Sequence, residues 1–271
     1  MPLPTFVIVG AQKCGTSSLH RMLRKHPQVH MSRTKELHFF DRNFDRGLDW
    51  YAEQFAPRRK QEQWGETTPA YMYKERARNR LIKSLPDARI VMILRNPVDR
   101  AYSHYWHDVR RLEQHRHARP VPETFEAALA IDEPGLVLGA AVEGTRAAGP
   151  VPAPPRRDSY VARGEYLEQI EPFIEAYGAQ RVHVMLLDDL VADRVESLRV
   201  LLEFLGVDGK AAESIQDVHA NRYRRPDEKG KVRAASYAPM QPETRAALVE
   251  HYRPHNDRLA TWLGRDLSDW V

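Results

Sequence analysis

The chain of 271 residues has a single cysteine, Cys14, so a disulfide within the chain is excluded. That usage suits a reducing compartment, and a cytoplasmic location is expected. No run of residues approaches the roughly 18–20 apolar positions of a membrane span. Met1 to Thr5 has neither the charged start nor the apolar stretch of a signal peptide. There is no internal repeat, zinc-finger spacing, RNA-binding aromatic motif or basic leucine-zipper pattern, which argues against a nucleic-acid partner. Acidic residues total 37, yet none occurs before Glu36.

What is present is a globular composition. Apolar residues make up 42% of the chain, too many for general disorder. The length supports a core without a disulfide or metal staple. Net charge is only +4, but it is unevenly placed. Lys13, Arg21, Arg24, Lys25, Arg33 and Lys35 fill the acid-free opening, and a second basic stretch runs from Arg222 to Arg233. Two basic islands point to anionic ligands, against the plainer alternative of a solvated basic surface.

Hydrophobic patterning predicts alternating strands and helices. Phe6 to Val9 reads as a buried strand ending at Gly10, followed by a helix carrying Leu19, Met22 and Leu23 and ended by His26-Pro27. Arg89 to Leu94 and Arg181 to Leu187 read as further strands. A helix starts near Val98, with Tyr102, Tyr105, Trp106 and Val109 on its apolar face. Others are expected over Tyr160 to Tyr177, through the Leu198–Leu205 stripe, and over about Pro242 to Leu263 with Leu248, Tyr252, Leu259 and Trp262 inward. This order predicts an α/β fold of three layers, α/β/α, around a central parallel sheet. A single domain over 1–271 is expected. Its Pro- and Gly-rich stretch at about 134–157 is read as an insertion or lid.

Between the first strand and its helix lies Gly10-Ala11-Gln12-Lys13-Cys14-Gly15-Thr16-Ser17. The G-x-x-x-x-G spacing matches a phosphate loop, whose backbone N–H groups and following helix N-terminus bind phosphate oxygens. Thr16 stands where a nucleoside-triphosphate loop has its Lys, and Lys13 comes earlier instead. A P-loop-like kinase, which needs that later Lys and a magnesium-binding hydroxyl, therefore fits less well. An ordinary Gly-rich turn is the structural alternative.

Gly10 to Leu19, GAQKCGTSSL, resembles the 5′-phosphosulfate loop of the sulfotransferase family, which uses 3′-phosphoadenosine 5′-phosphosulfate (PAPS) as sulfuryl donor. Arg89 to Tyr105, RIVMILRNPVDRAYSHY, resembles that family's 3′-phosphate signature. Lys35 to Asp41, KELHFFD, resembles the KE-x-HFF segment of the heparan sulfate N- and 3-O-sulfotransferase branch. Gly47 to Tyr51, Gly65 to Tyr71 and the run from Lys229 to Asp266 resemble later blocks of the same branch, so the likeness covers most of the chain. It implies a P-loop-like sulfotransferase fold, PAPS as co-substrate and no metal requirement. It also implies direct transfer to a hydroxyl or amine of a carbohydrate, glycolipid or specialised small metabolite.

The resemblance carries roles residue by residue. Lys13 falls on the bridging and sulfuryl oxygens. Cys14, Gly15, Thr16 and Ser17 fall on the 5′-phosphate, with Cys14 read as a small loop residue. Arg95 and Ser103 fall on the 3′-phosphate, and Glu36 on the base that takes the acceptor proton. Lys229, Gly230 and Lys231, extended by Val232 and Arg233, would close over the 3′-phosphate or adenine side, where Tyr223 would stack. Three departures stand out. No Cys pair precedes the Lys-Gly loop. No membrane anchor precedes the domain. Thr67 replaces a Lys common in the E-K-[TS] block, which weakens the case for an acidic sugar polymer. His38 is a rival base. In an extended segment Glu36 and His38 would point to opposite faces. The remaining alternative is a non-catalytic nucleotide- or polyanion-binding module.

Overall fold

The computed structural model describes residues 3–55, 62–114, 120–136, 159–215, 224–226, 232–234 and 239–271. The part of the expected insertion from 137 to 157 lies outside them. Backbone contacts divide the chain into two compact units. One joins Met1–Arg95 to Gln169–Arg222, and the other joins Asn96–Glu168 to Tyr223–Val271.

The first unit holds the sheet. Its strands are β1 (Phe6–Gly10), β2 (Val29–Met31), β3 (Gln63–Thr67), β4 (Arg89–Leu94) and β5 (Val182–Leu186). They lie in the order β2-β3-β1-β4-β5, and every pair is parallel. All five residues of β1 and the last five of β4 are buried. Continuous burial of this kind requires cover on both faces, and it explains why these two strands read as unbroken apolar runs. The helices are α1 (Thr16–Leu23), α2 (Gly47–Glu53), α3 (Ala70–Tyr73), α4 (Glu75–Ser84), α7 (Leu167–Tyr177, which begins at the unit boundary), α8 (Leu187–Ala192) and α9 (Arg194–Leu205). The Leu198, Leu201, Leu202 and Leu205 stripe of α9 is fully buried, and Gly206 ends the helix in the left-handed conformation (φ 76°).

The second unit packs α5 (Pro97–Gln114), α6 (Phe125–Asp132) and α10 (Pro242–Leu263) around Val98, Ala101, Phe125, Leu129, Leu248 and Tyr252. Asn96 starts α5 by accepting from the Val98 N–H at 2.9 Å, and Thr124 starts α6 by accepting from the Ala127 N–H at 3.1 Å. Within this unit Arg100 is fully buried and donates to the Tyr160 carbonyl. Two short strands, β6 (Arg224–Pro226) and β7 (Val232–Ala234), pair antiparallel.

Three expectations need correction. The helix predicted from Tyr160 starts only at Leu167, after a 3-10 turn at Ala162–Gly164. Ser159 Oγ accepts from the Val161 and Ala162 N–H groups at 3.1 and 2.8 Å, and Asp132 also accepts from Val161 at 2.9 Å. These side-chain bonds hold the backbone in a turn. The first helix ends at Leu23, ahead of His26-Pro27. Trp262 keeps the helical phase of α10 but lies in its last turn, beyond the buried stripe, and is 40% exposed.

Phe6 and Gly65 are register partners in β1 and β3. A Cβ at Gly65 would lie 2.1 Å from Phe6 Cζ, well inside contact distance. Gly65→Ala is therefore expected to cost about 1–3 kcal/mol by overpacking the sheet face, read as a lower urea midpoint with an unchanged m-value.

Candidate active site

In an open parallel sheet, ligands bind outside the carboxyl ends of the strands, where the chain reverses its direction of progress across the sheet. Here that point lies between β1 and β4. From β1 the chain proceeds through α1 to β2 on one side, and from β4 it proceeds to β5 on the other. The carboxyl end of β1 carries Gly10 to Ser17, and that of β4 carries Arg95. The β1–β4 register shifts between Ile8 and Gly10, and the Ala11 N–H then donates to the Ile93 carbonyl at 2.9 Å. The loop is thus tied to β4 as it leaves β1.

Within the loop, Lys13 is left-handed at φ 74° and Gly15 at φ 92°. A Cβ on Gly15 would meet Leu187 at 2.8 Å, so this position needs glycine for both dihedral and space. Gly15 precedes α1 without a side-chain cap, and the first turn of α1 has no acidic residue. The Ser18 N–H turns back to the Gly15 carbonyl at 3.0 Å, and no side chain caps the positive end of the helix at Gly15. Cys14 is fully buried, with its thiol 3.8 Å from the Gln12 carbonyl, which fits a small packing residue.

The segment from Glu36 to Asp41 hangs on the end of β3. The Glu36 N–H donates to the Thr67 carbonyl at 2.9 Å, and Thr67 pairs with Ile8 of β1. Glu36, in the segment after β2, is thus tethered to the end of β3, the neighbour of the strand from which the Lys13 loop leaves. Glu36 and His38 are both left-handed, at φ 61° and 50°. This overturns the expected opposite-facing arrangement, because the segment is not extended. The two side chains converge, with His38 Nε2 3.5 Å from Glu36 Oε2. Lys35 Nζ also binds Glu36, on Oε1. His38 Nδ1 lies 3.0 Å from Asp41, whose other oxygen takes Lys74 Nζ at 3.0 Å. Partial burial pushes the Glu36 carboxyl up, but the His38 hydrogen bond and the Lys35 charge outweigh it and hold the group at about 2. Glu36 is a carboxylate at neutral pH, with its side chain 42% exposed. Burial lowers the His38 pKa, yet its bonds to Asp41 and Glu36 leave it raised overall.

Lys13, Glu36 and His38 are the non-glycine residues with positive φ among those described. Such conformations cost on the order of 1–3 kcal/mol each and collect where function over-determines the backbone. Ser103 lies half-buried in α5, in the second unit. Val232 and Arg233 belong to β7, while Tyr223, Lys229, Gly230 and Lys231 fall outside the described residues.

Residues 3–259 match the family model described as the sulfotransferase domain. The chain belongs to that family. It is 28% identical over 99% of its length to the human bifunctional heparan sulfate N-deacetylase/N-sulfotransferase 3, covering 31% of that protein. It is 27% identical over 98% of its length to the mouse heparan sulfate glucosamine 3-O-sulfotransferase 3B1, covering 65%. The chain therefore spans less than two thirds of the length of these curated relatives. A crystal structure of a sulfotransferase from Alicyclobacillus acidocaldarius superposes with a TM-score of 0.74 at 28% identity, over 100% of this chain and 99% of that one.

This sulfotransferase domain also contains an acid that sequence reasoning passed over as part of a motif block. Glu66 of β3 is fully buried. It accepts from Tyr51 Oη at 2.6 Å and Thr68 Oγ1 at 2.8 Å. Tyr51 in turn stacks on Phe39 at 4.3 Å, and Tyr71 Oη accepts from the Phe40 N–H at 3.3 Å. Glu66 thereby anchors the aromatic floor under the Glu36 segment. The neighbouring Thr67 is also fully buried, with Oγ1 3.0 Å from His20 Nδ1, so its side chain presents no surface charge. No sequence pattern marks Glu66, because Gln-Trp-Gly-Glu-Thr does not read as a buried strand.

Burial pushes the Glu66 carboxyl up from 4.5 to about 7, against its hydrogen bonds from Tyr51 and Thr68. The folded state therefore holds this proton more tightly than the unfolded chain. The stabilisation is full below about pH 4.5 and is lost as pH rises through about 7. Glu36 has the opposite sign. Its contribution is present above the ordinary carboxylate range and is lost as pH falls toward 2. Glu66→Gln should flatten the decline in stability between about pH 5 and pH 8, a difference on the order of 3 kcal/mol. Urea midpoints for wild type and variant at several pH values would measure it. Parallel declines would show that Glu66 is not held neutral.

Proposed function

We propose that this protein transfers a sulfuryl group from PAPS to a hydroxyl or amine of a carbohydrate or related small acceptor, with Glu36 as the base. The observation that carries the reading is the placement of Lys13 and Glu36. Both are left-handed; Lys13 follows β1 at the topological switch point, and Glu36, in the segment after β2, is bonded through its backbone to the end of β3, the strand beside β1. The uncapped N-terminus of α1 and the glycine-only position at Gly15 fit an anionic group of phosphate type. The donor supplies an activated sulfuryl group on a phosphate leaving group.

The protein's own residues do the rest. Backbone and hydroxyl donors of Gly15, Thr16 and Ser17, beside the small Cys14, hold the 5′-phosphate. Arg95 and Ser103 bind the 3′-phosphate, a guanidinium being suited to pair with two oxygens. Tyr223 and the run Lys229, Gly230, Lys231, Val232 and Arg233 complete the nucleotide site. As the acceptor oxygen bonds to sulfur, its proton passes to a Glu36 carboxylate oxygen. The sulfur–oxygen bond to the phosphate breaks in line, and the Lys13 ammonium stabilises the charge left on the bridging oxygen. We assign the acceptor to carbohydrates because two relatives are named for heparan sulfate. The neutral, buried Thr67 argues for a less acidic sugar than that polymer. The whole chain acts in this reading as one catalytic domain in a reducing compartment, consistent with its single cysteine.

Glu36→Gln is expected to lower kcat by about 10²–10⁴-fold while leaving the thermal shift with 3′-phosphoadenosine 5′-phosphate unchanged. Arg95→Ala should weaken that nucleotide about 10–100-fold. Transfer is followed with labelled sulfate and accurate mass. Magnesium-dependent use of ATP would favour a kinase. Nucleotide binding with no turnover on any acceptor, and no effect of Glu36→Gln, would favour a binding module.

A further inference from the structure

The second unit carries a group of side chains that the proposed reaction does not use. Glu165 follows the 3-10 turn at Ala162–Gly164, and His251 and His255 lie one turn apart on α10. One ligand atom from each lies within 4.8 Å of the others. His251 Nε2 is 3.2 Å and His255 Nε2 is 4.0 Å from the same oxygen, Glu165 Oε1.

We propose that Glu165, His251 and His255 form a binding site for a zinc-class divalent transition metal, with the fourth position open to water. Tetrahedral zinc, with Zn–N and Zn–O bonds of about 2.0–2.2 Å, sets its ligand atoms about 3.3–3.6 Å apart. The two histidine–carboxylate separations straddle that range, so an ion can be taken up by small side-chain adjustments. The outer contacts are those a metal-bound imidazole needs. His255 Nδ1 lies 3.3 Å from Glu168 Oε1, and Arg258 Nη1 holds the same oxygen at 2.7 Å. A carboxylate on Nδ1 selects the tautomer whose Nε2 lone pair faces outward, here toward Glu165. A lone pair facing a carboxylate oxygen is repulsive unless a proton or a cation stands between them. His251 meets the same Glu165 oxygen at 3.2 Å, where its Nε2 N–H can donate, so the demand falls on His255, and a metal ion held by all three groups would take the place of that proton.

Imidazole and carboxylate donors suit zinc, cobalt or nickel rather than magnesium or calcium. The side chains are 22%, 26% and 25% exposed for His251, His255 and Glu165, so an ion can enter and retain water. The role is structural. Tyr252 Oη already donates to the Val161 carbonyl at 2.8 Å, and a bound ion adds a second clasp between that turn and α10.

The test uses the full chain stripped with a chelator. One equivalent of Co²⁺ should give visible ligand-field bands of four- or five-coordinate intensity, and Zn²⁺ should displace it and raise Tm. His251→Ala/His255→Ala should abolish both signals. Glu165→Gln, which leaves α10 untouched, should weaken Zn²⁺ strongly. Glu168→Gln should weaken it about 10–100-fold. Unchanged Zn²⁺ affinity in the double variant or in Glu165→Gln would overturn the site. So would Co²⁺ spectra of only weak octahedral intensity, or the absence of saturable one-equivalent binding to the wild type.

Discussion

The candidate site depends on how β1 is held between β3 and β4. Phe6, Val7 and Ile8 pair in register with Gly65, Glu66 and Thr67 on one side and with Arg89, Ile90 and Val91 on the other. The shift on the β4 side between Ile8 and Gly10 is the irregularity that lets the chain change direction at the strand end. The Ala11–Ile93 bond then carries the attachment one step past the strand. On the opposite flank, Thr68 donates from its backbone to Ile8 at 3.2 Å, and the Thr67 carbonyl receives Glu36. Lys13 and Glu36 come from different parts of the chain, the first directly after β1 and the second after β2, and they are tied to neighbouring strand ends because Glu36 bonds to the last residue of β3. A buried parallel ladder is rigid, so its ends can hold strained loops in one conformation.

Two carboxyl groups near these ends are driven to opposite states. Glu36, hydrogen-bonded to His38 and paired with Lys35, is held charged. Glu66, fully buried under Tyr51 and Thr68, is raised to about 7. Separation of this kind divides labour between acids of one type. The charged one faces the solvent side of the segment, and the buried one braces the aromatic floor through Tyr51 and Phe39. His38 connects the first of these to Asp41 and Lys74, so the Glu36 carboxylate belongs to a chain of alternating charge rather than to a lone pair.

How much of this was legible in the sequence follows from what each feature depends on. The strands β1 and β4 were read correctly because burial on both faces makes them apolar throughout, and the edge strand β5 because Val182, Val184 and Leu186 stand out despite His183 and a half-buried middle. The strands β2 and β3 were missed. One has only three residues, and the other, Gln-Trp-Gly-Glu-Thr, owes its burial to neighbours rather than to its own hydrophobicity. The long α10 and the glycine stop of α9 were visible from spacing. The turn before α7 was not, since Ser159 and Asp132 hold it from outside the apparent helical pattern. At the site, the loop spacing and the position of Glu36 were legible. The approach of His38 to Glu36 was not, because it depends on two left-handed residues that no residue type announces. The meeting of Glu165 with His251 and His255 was equally hidden, because more than 80 positions of chain separate it from that pair.

A carboxylate held at about 2 is a weak base by strength alone. That is compatible with the proposed chemistry if the transition state is loose, as in the related phosphoryl transfers. Early on, the acceptor hydroxyl carries little positive charge and needs no strong base. Its proton becomes acidic only as the oxygen–sulfur bond forms, and it can then pass to any carboxylate already within hydrogen-bond reach. Position then matters more than basicity, and a conformationally strained residue anchored to a strand end is a device for position. The cations beside Glu36 also set a limit. The same Lys35 and His38 that keep it ionised occupy its two oxygens. An acceptor hydroxyl must therefore share or displace one of those bonds, and His38, the longer contact at 3.5 Å, is the one more easily given up.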